Sequence, residues 1–198
     1  MKKFVIIGTP RSGTTYIADV WGGLGMSCGH EKIFQNWGQN LETFAGWGIT
    51  WMQGVASYSA MPFVDKIEEP HVVFHQIRDK QKTVESIMAF GWLSENPGYM
   101  NFQNFLDYHC DGELFKIKDY KERVEKFYDI WNHKCSLVAD YSYNVEELNT
   151  DKMLDMCAMI GVNFDVERIE TTLQNIPKNT NAKDHLKVMD YKNYDVNR

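Results

Sequence analysis

Lys3-Phe4-Val5-Ile6-Ile7-Gly8-Thr9-Pro10-Arg11-Ser12-Gly13-Thr14-Thr15-Tyr16-Ile17-Ala18-Asp19-Val20-Trp21 is the stretch that decides the fold. Residues 3–7 form an apolar, β-branched run that reads as a buried strand, and Gly8, Thr9 and Pro10 break it at once. Residues 12–21 suit a helix, ended by Gly22, Gly23 and Gly25. Between them, Gly8-Thr9-Pro10-Arg11-Ser12-Gly13-Thr14-Thr15 has the GxxxxG spacing of a phosphate-binding loop. Thr14 stands where the usual lysine would be. Gly13 permits close backbone approach to an oxyanion, and successive N–H groups at a helix N-terminus cradle it. Thr14 and Thr15 add hydroxyl donors. The positive charge has moved to Arg11, whose planar fork suits an oxyanion.

Outward from this loop, strands and helices alternate. Residues 26–29 read as a short second strand and His71-Val72-Val73-Phe74-His75-Gln76-Ile77 as a third. A helix follows, with Val84, Ile87, Met88 and Gly91 on one face. Residues 94–104 read as a loop, and residues 120–134 as a helix with a Val124, Phe127, Tyr128, Trp131 stripe. A fourth strand spans about 137–143, and a last helix 151–160, capped by Thr150. The alternation implies right-handed βαβ units, hence an α/β domain of the P-loop type with a parallel central sheet flanked by helices. Residues 1–198 fit a single domain. Residues 33–70 are a loop-rich, aromatic insertion, and the polar stretch from Pro177 onward reads as irregular.

Bulk properties narrow the function. The net charge of -6 argues against a general binder of nucleic acid or anionic membrane, so an anionic ligand must be met by local charge. Of five arginines, Arg11 lies in the loop and Arg78 at the exit of the third strand. That exit is at the sheet edge where open α/β folds bind ligands. The apolar run after Lys3 is too short for a signal peptide or a membrane span, and the cysteines Cys28, Cys110, Cys135 and Cys157 are scattered. Cytoplasmic location with reduced thiols is the expectation. No cluster has metal-ligand spacing, so no metal is expected; His109 and Cys110 read as structural.

The run Pro10-Arg11-Ser12-Gly13-Thr14-Thr15-Tyr16-Ile17 resembles the 5'-phosphosulfate loop of sulfotransferases. A second segment, Arg78 with Ser86 eight residues on, resembles the pair with which that family holds the 3'-phosphate of its nucleotide; here Lys80 replaces a usual proline. Gly29-His30-Glu31 is similar to the family segment whose glutamate is the catalytic base. Tyr128-Asp129-Ile130-Trp131-Asn132 and Tyr143 to Leu148 resemble its later helix and strand more weakly. The resemblance implies 3'-phosphoadenosine-5'-phosphosulfate as co-substrate and transfer of its sulfonate to a hydroxyl of a carbohydrate or small-molecule acceptor. Pro10, Arg11, Ser12, Gly13, Thr14 and Thr15 would bind the 5' end, Arg78 and Ser86 the 3'-phosphate. Glu31 would be the base, with His30 in reserve, expected beside the phosphate loop just past the neighbouring second strand. Trp37, Phe44, Trp47, Trp51, Tyr58 and Phe63 either line an acceptor pocket or form the core of a small lobe. A P-loop kinase or nucleoside-triphosphate hydrolase is the alternative, disfavoured by Thr14; a non-catalytic nucleotide-binding protein is a third.

Overall fold

The computed structural model describes residues 1–31 and 52–178. Five parallel strands, β1 (Lys3–Gly8), β2 (Cys28–His30), β3 (Gly54–Ala56), β4 (His71–Ile77) and β5 (Tyr141–Asn144), form one sheet in the order β2-β3-β1-β4-β5. β1 lies at the centre, with Phe4 opposite Gly54 on one side and Val72 on the other. The described helices are α1 (Thr14–Gly23), α2 (Lys80–Phe90), α3 (Met100–His109), α4 (Tyr120–Val138), α5 (Thr150–Ile160) and α6 (Val166–Asn175). None is long and apolar enough to cross a membrane.

The two-residue period of β1 sorts its side chains into two cores. Val5 and Ile7 join Val55 and Val73 under α2, α3, α4 and the 3-10 helix Tyr58–Lys66. Phe4 and Ile6 join Val72 and Phe74 under α1, α5 and α6, and Trp21 packs on Phe4 with ring centroids 4.7 Å apart. Helices thus cover both faces, as a parallel sheet requires. The three-layer α/β architecture expected from the alternation is the one observed.

Several boundaries differ from expectation. β3 occupies the position next to β1 that the sequence reading assigned to residues 26–29, and β2 is displaced to the edge. The end of the stretch read as loop, residues 100–104, instead opens a helix that runs to His109, because Phe102, Phe105 and Leu106 bury one face against the core. α4 runs on to Val138 and β5 starts only at Tyr141. α5 is capped not by Thr150 but by Asn149, whose side chain accepts from the Lys152 N–H at 3.0 Å. Within the aromatic insertion, Phe63 is a core residue stacked on Phe105. Tyr58 packs edge-on against Phe102. Trp37, Phe44, Trp47 and Trp51 lie outside the described residues.

Candidate active site

The chain moves from β1 outward to the β2 edge, returns as β3, and crosses over β1 to β4. The C-terminal end of β1 is therefore the point where the winding direction changes, and an open α/β sheet forms its ligand crevice there. The 8–15 loop occupies that end. Arg11 (φ 70°) and Gly13 (φ 98°) both sit in the left-handed region, with Ser12 between them. Holding a non-glycine residue there costs on the order of 1 kcal/mol, and alternation of hand along a loop turns successive N–H groups toward one concavity. Gly13 is also the N-cap of α1, so the positive end of the helix dipole faces the same way.

A buried framework fixes this loop from below. The Trp131 indole donates to the Gly8 carbonyl at 3.0 Å. The Tyr143 hydroxyl donates to Oε1 of Gln76 at 2.7 Å, and Nε2 of Gln76 donates to the Ser12 carbonyl at 2.8 Å. Gly8 admits no side chain, because a Cβ there would be driven into the Gln76 carbonyl. Gln76, Tyr143 and Trp131 were not singled out as site residues from sequence; a fully buried amide at a strand end beside a phosphate loop is the signal that could have found them.

On one flank, the cations gather. Nη1 of Arg78 donates to the Arg11 carbonyl at 2.8 Å, and Nε of Arg11 donates to Oγ of Ser86 at 3.0 Å. The Arg11 guanidinium also lies 4.5 Å from the centre of the Phe90 ring. Burial lowers the Arg11 pKa, and the neighbouring Arg78 charge lowers it further. Arg78 has a distant carboxylate, Glu146, at 4.0 Å, and its own carbonyl accepts from the Tyr128 hydroxyl at 2.7 Å. Arg11 of the loop is thus in direct contact with the side chains of both Arg78 and Ser86. Two adjacent guanidiniums in partial burial make a strong field for an anion.

On the opposite flank, Nε2 of His30 lies 3.1 Å from Oγ1 of Thr14 and 3.2 Å from Oγ1 of Thr15. Glu31 follows in the left-handed region (φ 54°), its N–H bonded to the Ala56 carbonyl at 3.1 Å. Its side chain, 12% exposed, is 3.9 Å from His30 Nε2 and accepts from the Ser57 hydroxyl, the Tyr58 N–H and the Ser59 hydroxyl. Burial pushes its pKa from the ordinary 4.5 up to about 7, against the opposing pull of these three hydrogen bonds. His30 thus reaches the loop, with Glu31 beside it, although β3 stands between β2 and β1. Pro10 is buried in the turn, and the hydroxyls of Thr9 and Ser12 are buried with no hydrogen-bond partner among the described residues. No group of three histidine, cysteine or acidic side chains that could hold a metal occurs among the described residues.

No family model and no curated protein matches the chain. Among solved structures, it is similar to a gluconokinase from Sinorhizobium meliloti, at 11% identity and a TM-score of 0.43, over 96% of this chain and 98% of the other. So loose a likeness assigns no function.

Proposed function

We propose that this protein is a sulfotransferase that carries the sulfonate of 3'-phosphoadenosine-5'-phosphosulfate to the hydroxyl of a carbohydrate or small-molecule acceptor. One observation carries the reading: the phosphate loop has two chemically opposite flanks. Arg11, Arg78 and Ser86 stand on one, and a carboxyl with pKa about 7 stands on the other behind His30. A nucleotide phosphorylated at both its 5' and 3' positions uses two cations; an acceptor hydroxyl uses a base.

In this reading the loop amides of residues 11–15 receive the 5'-phosphosulfate and Arg78 with Ser86 the 3'-phosphate. The acceptor oxygen forms a bond to sulfur while the bridging bond between sulfur and the phosphate oxygen breaks, and the departing electron pair stays on the phosphate. The acceptor proton passes to the Glu31 carboxylate. A base titrating near neutrality suits this step better than an ordinary carboxylate, since proton transfer is most efficient when the catalytic pKa lies near the working pH. His30, held by two threonine hydroxyls and adjacent to Glu31, orients the acceptor side of the loop. Charge developing on the leaving phosphate meets Arg11 and the helix dipole, which need no reorganisation to receive it.

Phosphoryl transfer from a nucleoside triphosphate is the competing reading, since strand, loop and helix are common to both. Its chemistry leans on a lysine after the second glycine and a hydroxyl on magnesium. Thr14 occupies the first position, and the Thr15 hydroxyl in the second is turned to an imidazole. A thermal-shift comparison of adenosine 3',5'-bisphosphate with ATP plus magnesium separates the two. The bisphosphate should give the larger shift. A larger shift with ATP that vanishes in EDTA would overturn the proposal.

A further inference from the structure

Ser57-Tyr58-Ser59 leaves β3 directly beneath Glu31, and none of its residues belongs to a recognised motif. Ser57 is wholly buried and Ser59 all but buried. Nothing apolar calls for two hydroxyls in such a place, and burying a hydroxyl is unfavourable unless it is hydrogen-bonded. Both point at one atom, Oε2 of Glu31.

Each hydroxyl has a single proton. The Ser57 hydroxyl commits its one proton to Oε2, so in the 2.9 Å contact between the two hydroxyls Ser59 is the donor, and its 3.4 Å contact to the carboxylate is the longer, secondary one. The result is a two-step chain, Ser59 to Ser57 to Glu31, in which each bond polarises the next. The Ser57 N–H is tied to the Ile6 carbonyl of β1 at 2.9 Å, so the chain is anchored to the strand that carries the phosphate loop.

We infer that Ser57, backed by Ser59, is a positioning residue for the Glu31 base: the pair holds Oε2 on the β3 side and so turns Oε1, the oxygen on the His30 side, to receive the acceptor's proton. Oε1 accepts the Tyr58 N–H at 3.2 Å, which leaves it a free lone pair, and it is the oxygen nearer His30 at 3.9 Å. Among the described residues, His30 is the titratable side chain closest to the carboxylate; the three groups that contact it from the β3 side are neutral donors. The inference rests on the sulfonate-transfer reading above, in which Glu31 is the base, and it assigns the roles of the two oxygens within it.

The test is a carbon-13 NMR titration of the Glu31 carboxyl in protein labelled at glutamate, run beside the pH profile of sulfonate transfer. Removing a hydrogen bond that favours the carboxylate should raise its titration midpoint, by about 1–2 pH units for a charge-assisted bond. Ser57→Ala should therefore shift both the NMR midpoint and the acidic limb of the transfer profile upward together. Ser59→Ala should shift them less, and Ser57→Thr should restore much of the change. A Glu31 midpoint that stays put in folded Ser57→Ala and in folded Ser59→Ala would overturn the inference. If Ser57→Ala does not fold, Ser59→Ala decides alone. A midpoint that moves while the transfer profile does not would uphold the serine chain and overturn Glu31 as the base, so the two failures are told apart.

Discussion

Arg78 donates from Nη1 to the backbone carbonyl of Arg11 at 2.8 Å. The arginine at the exit of β4 is thus a brace for the phosphate loop as well as a candidate anion ligand. Arg78→Ala should abolish the preference for adenosine 3',5'-bisphosphate over adenosine 5'-monophosphate. A charge-assisted hydrogen bond contributes roughly 1.5–3 kcal/mol, so bisphosphate affinity should fall about tenfold or more. Because the brace is lost too, monophosphate affinity should fall as well, by a smaller factor. Calorimetric titration of both nucleotides reads the two effects, and an unchanged preference would refute the 3'-phosphate assignment.

The state of Glu31 makes stability depend on pH in an unusual direction. Its pKa in the folded protein, about 7, lies above the ordinary 4.5. Between those values the folded protein binds more protons than the unfolded one, so stability is full below pH 4.5 and is lost as pH rises through 7. Glu31→Gln removes the charge that causes the loss. It should be more stable than the parent at pH 8, by on the order of 3 kcal/mol, and nearly equal to it at pH 4. Urea unfolding at both values checks this, and equal stability at pH 8 would contradict it.

In turnover the same carboxyl should give an acidic limb. Transfer should rise with pH through about 7, as Glu31 ionises and becomes able to accept a proton. Glu31→Gln should lower turnover about 10²–10⁴-fold and leave bisphosphate affinity near that of the parent. His30→Ala should cost less than Glu31→Gln. The reverse order would exchange the two roles.

Gln76 carries the loop on two bonds within the core. Gln76→Leu keeps much of its volume but strands both the Ser12 carbonyl and the Tyr143 hydroxyl. Each buried group left unpaired costs about 1–3 kcal/mol. Tyr143→Phe removes one of those stranded groups, so the double variant should be less destabilised than the sum of the two single ones. Chemical denaturation of the three variants measures the coupling. Strict additivity would mean that the relay does not act as a unit.

How far these features could be read from the chain follows from how local they are. β1, its loop and α1 are consecutive, and β4 is a β-branched and aromatic run, Val72-Val73-Phe74, that closes on Ile77 and the charge of Arg78, so composition and spacing are enough. β3 is only Gly54–Ala56, set in a stretch with no clean period, and three residues cannot display alternation. Without β3, the second strand is expected beside β1 with Glu31 just past it; instead the Glu31 carboxylate bonds the Ser57–Ser59 turn after β3, and His30 makes the contact to the loop. α3 was obscured by Pro97 and Gly98, although Phe102, Phe105 and Leu106 stand at helical spacing just beyond them. β5 was started too early because Leu137 and Val138 are apolar; both are exposed on the last turn of α4. The contiguity of Arg11, Arg78 and Ser86 depends on side-chain direction across two elements, which no spacing along the chain encodes.

The central position of β1 bears on how this protein assembles. Both of its partners, β3 and β4, lie far downstream, and β2, the strand nearest it in sequence, does not pair with it at all. Closing such distant pairings is slow, because chain entropy must be lost before any contact repays it. The first thirty residues hold the whole phosphate-loop motif and yet, as an isolated fragment, lack every strand that would hold it in shape. During synthesis, capacity to bind an anion should therefore emerge only after β4 has been made and docked, which would make nucleotide capture a late mark of a correctly completed sheet.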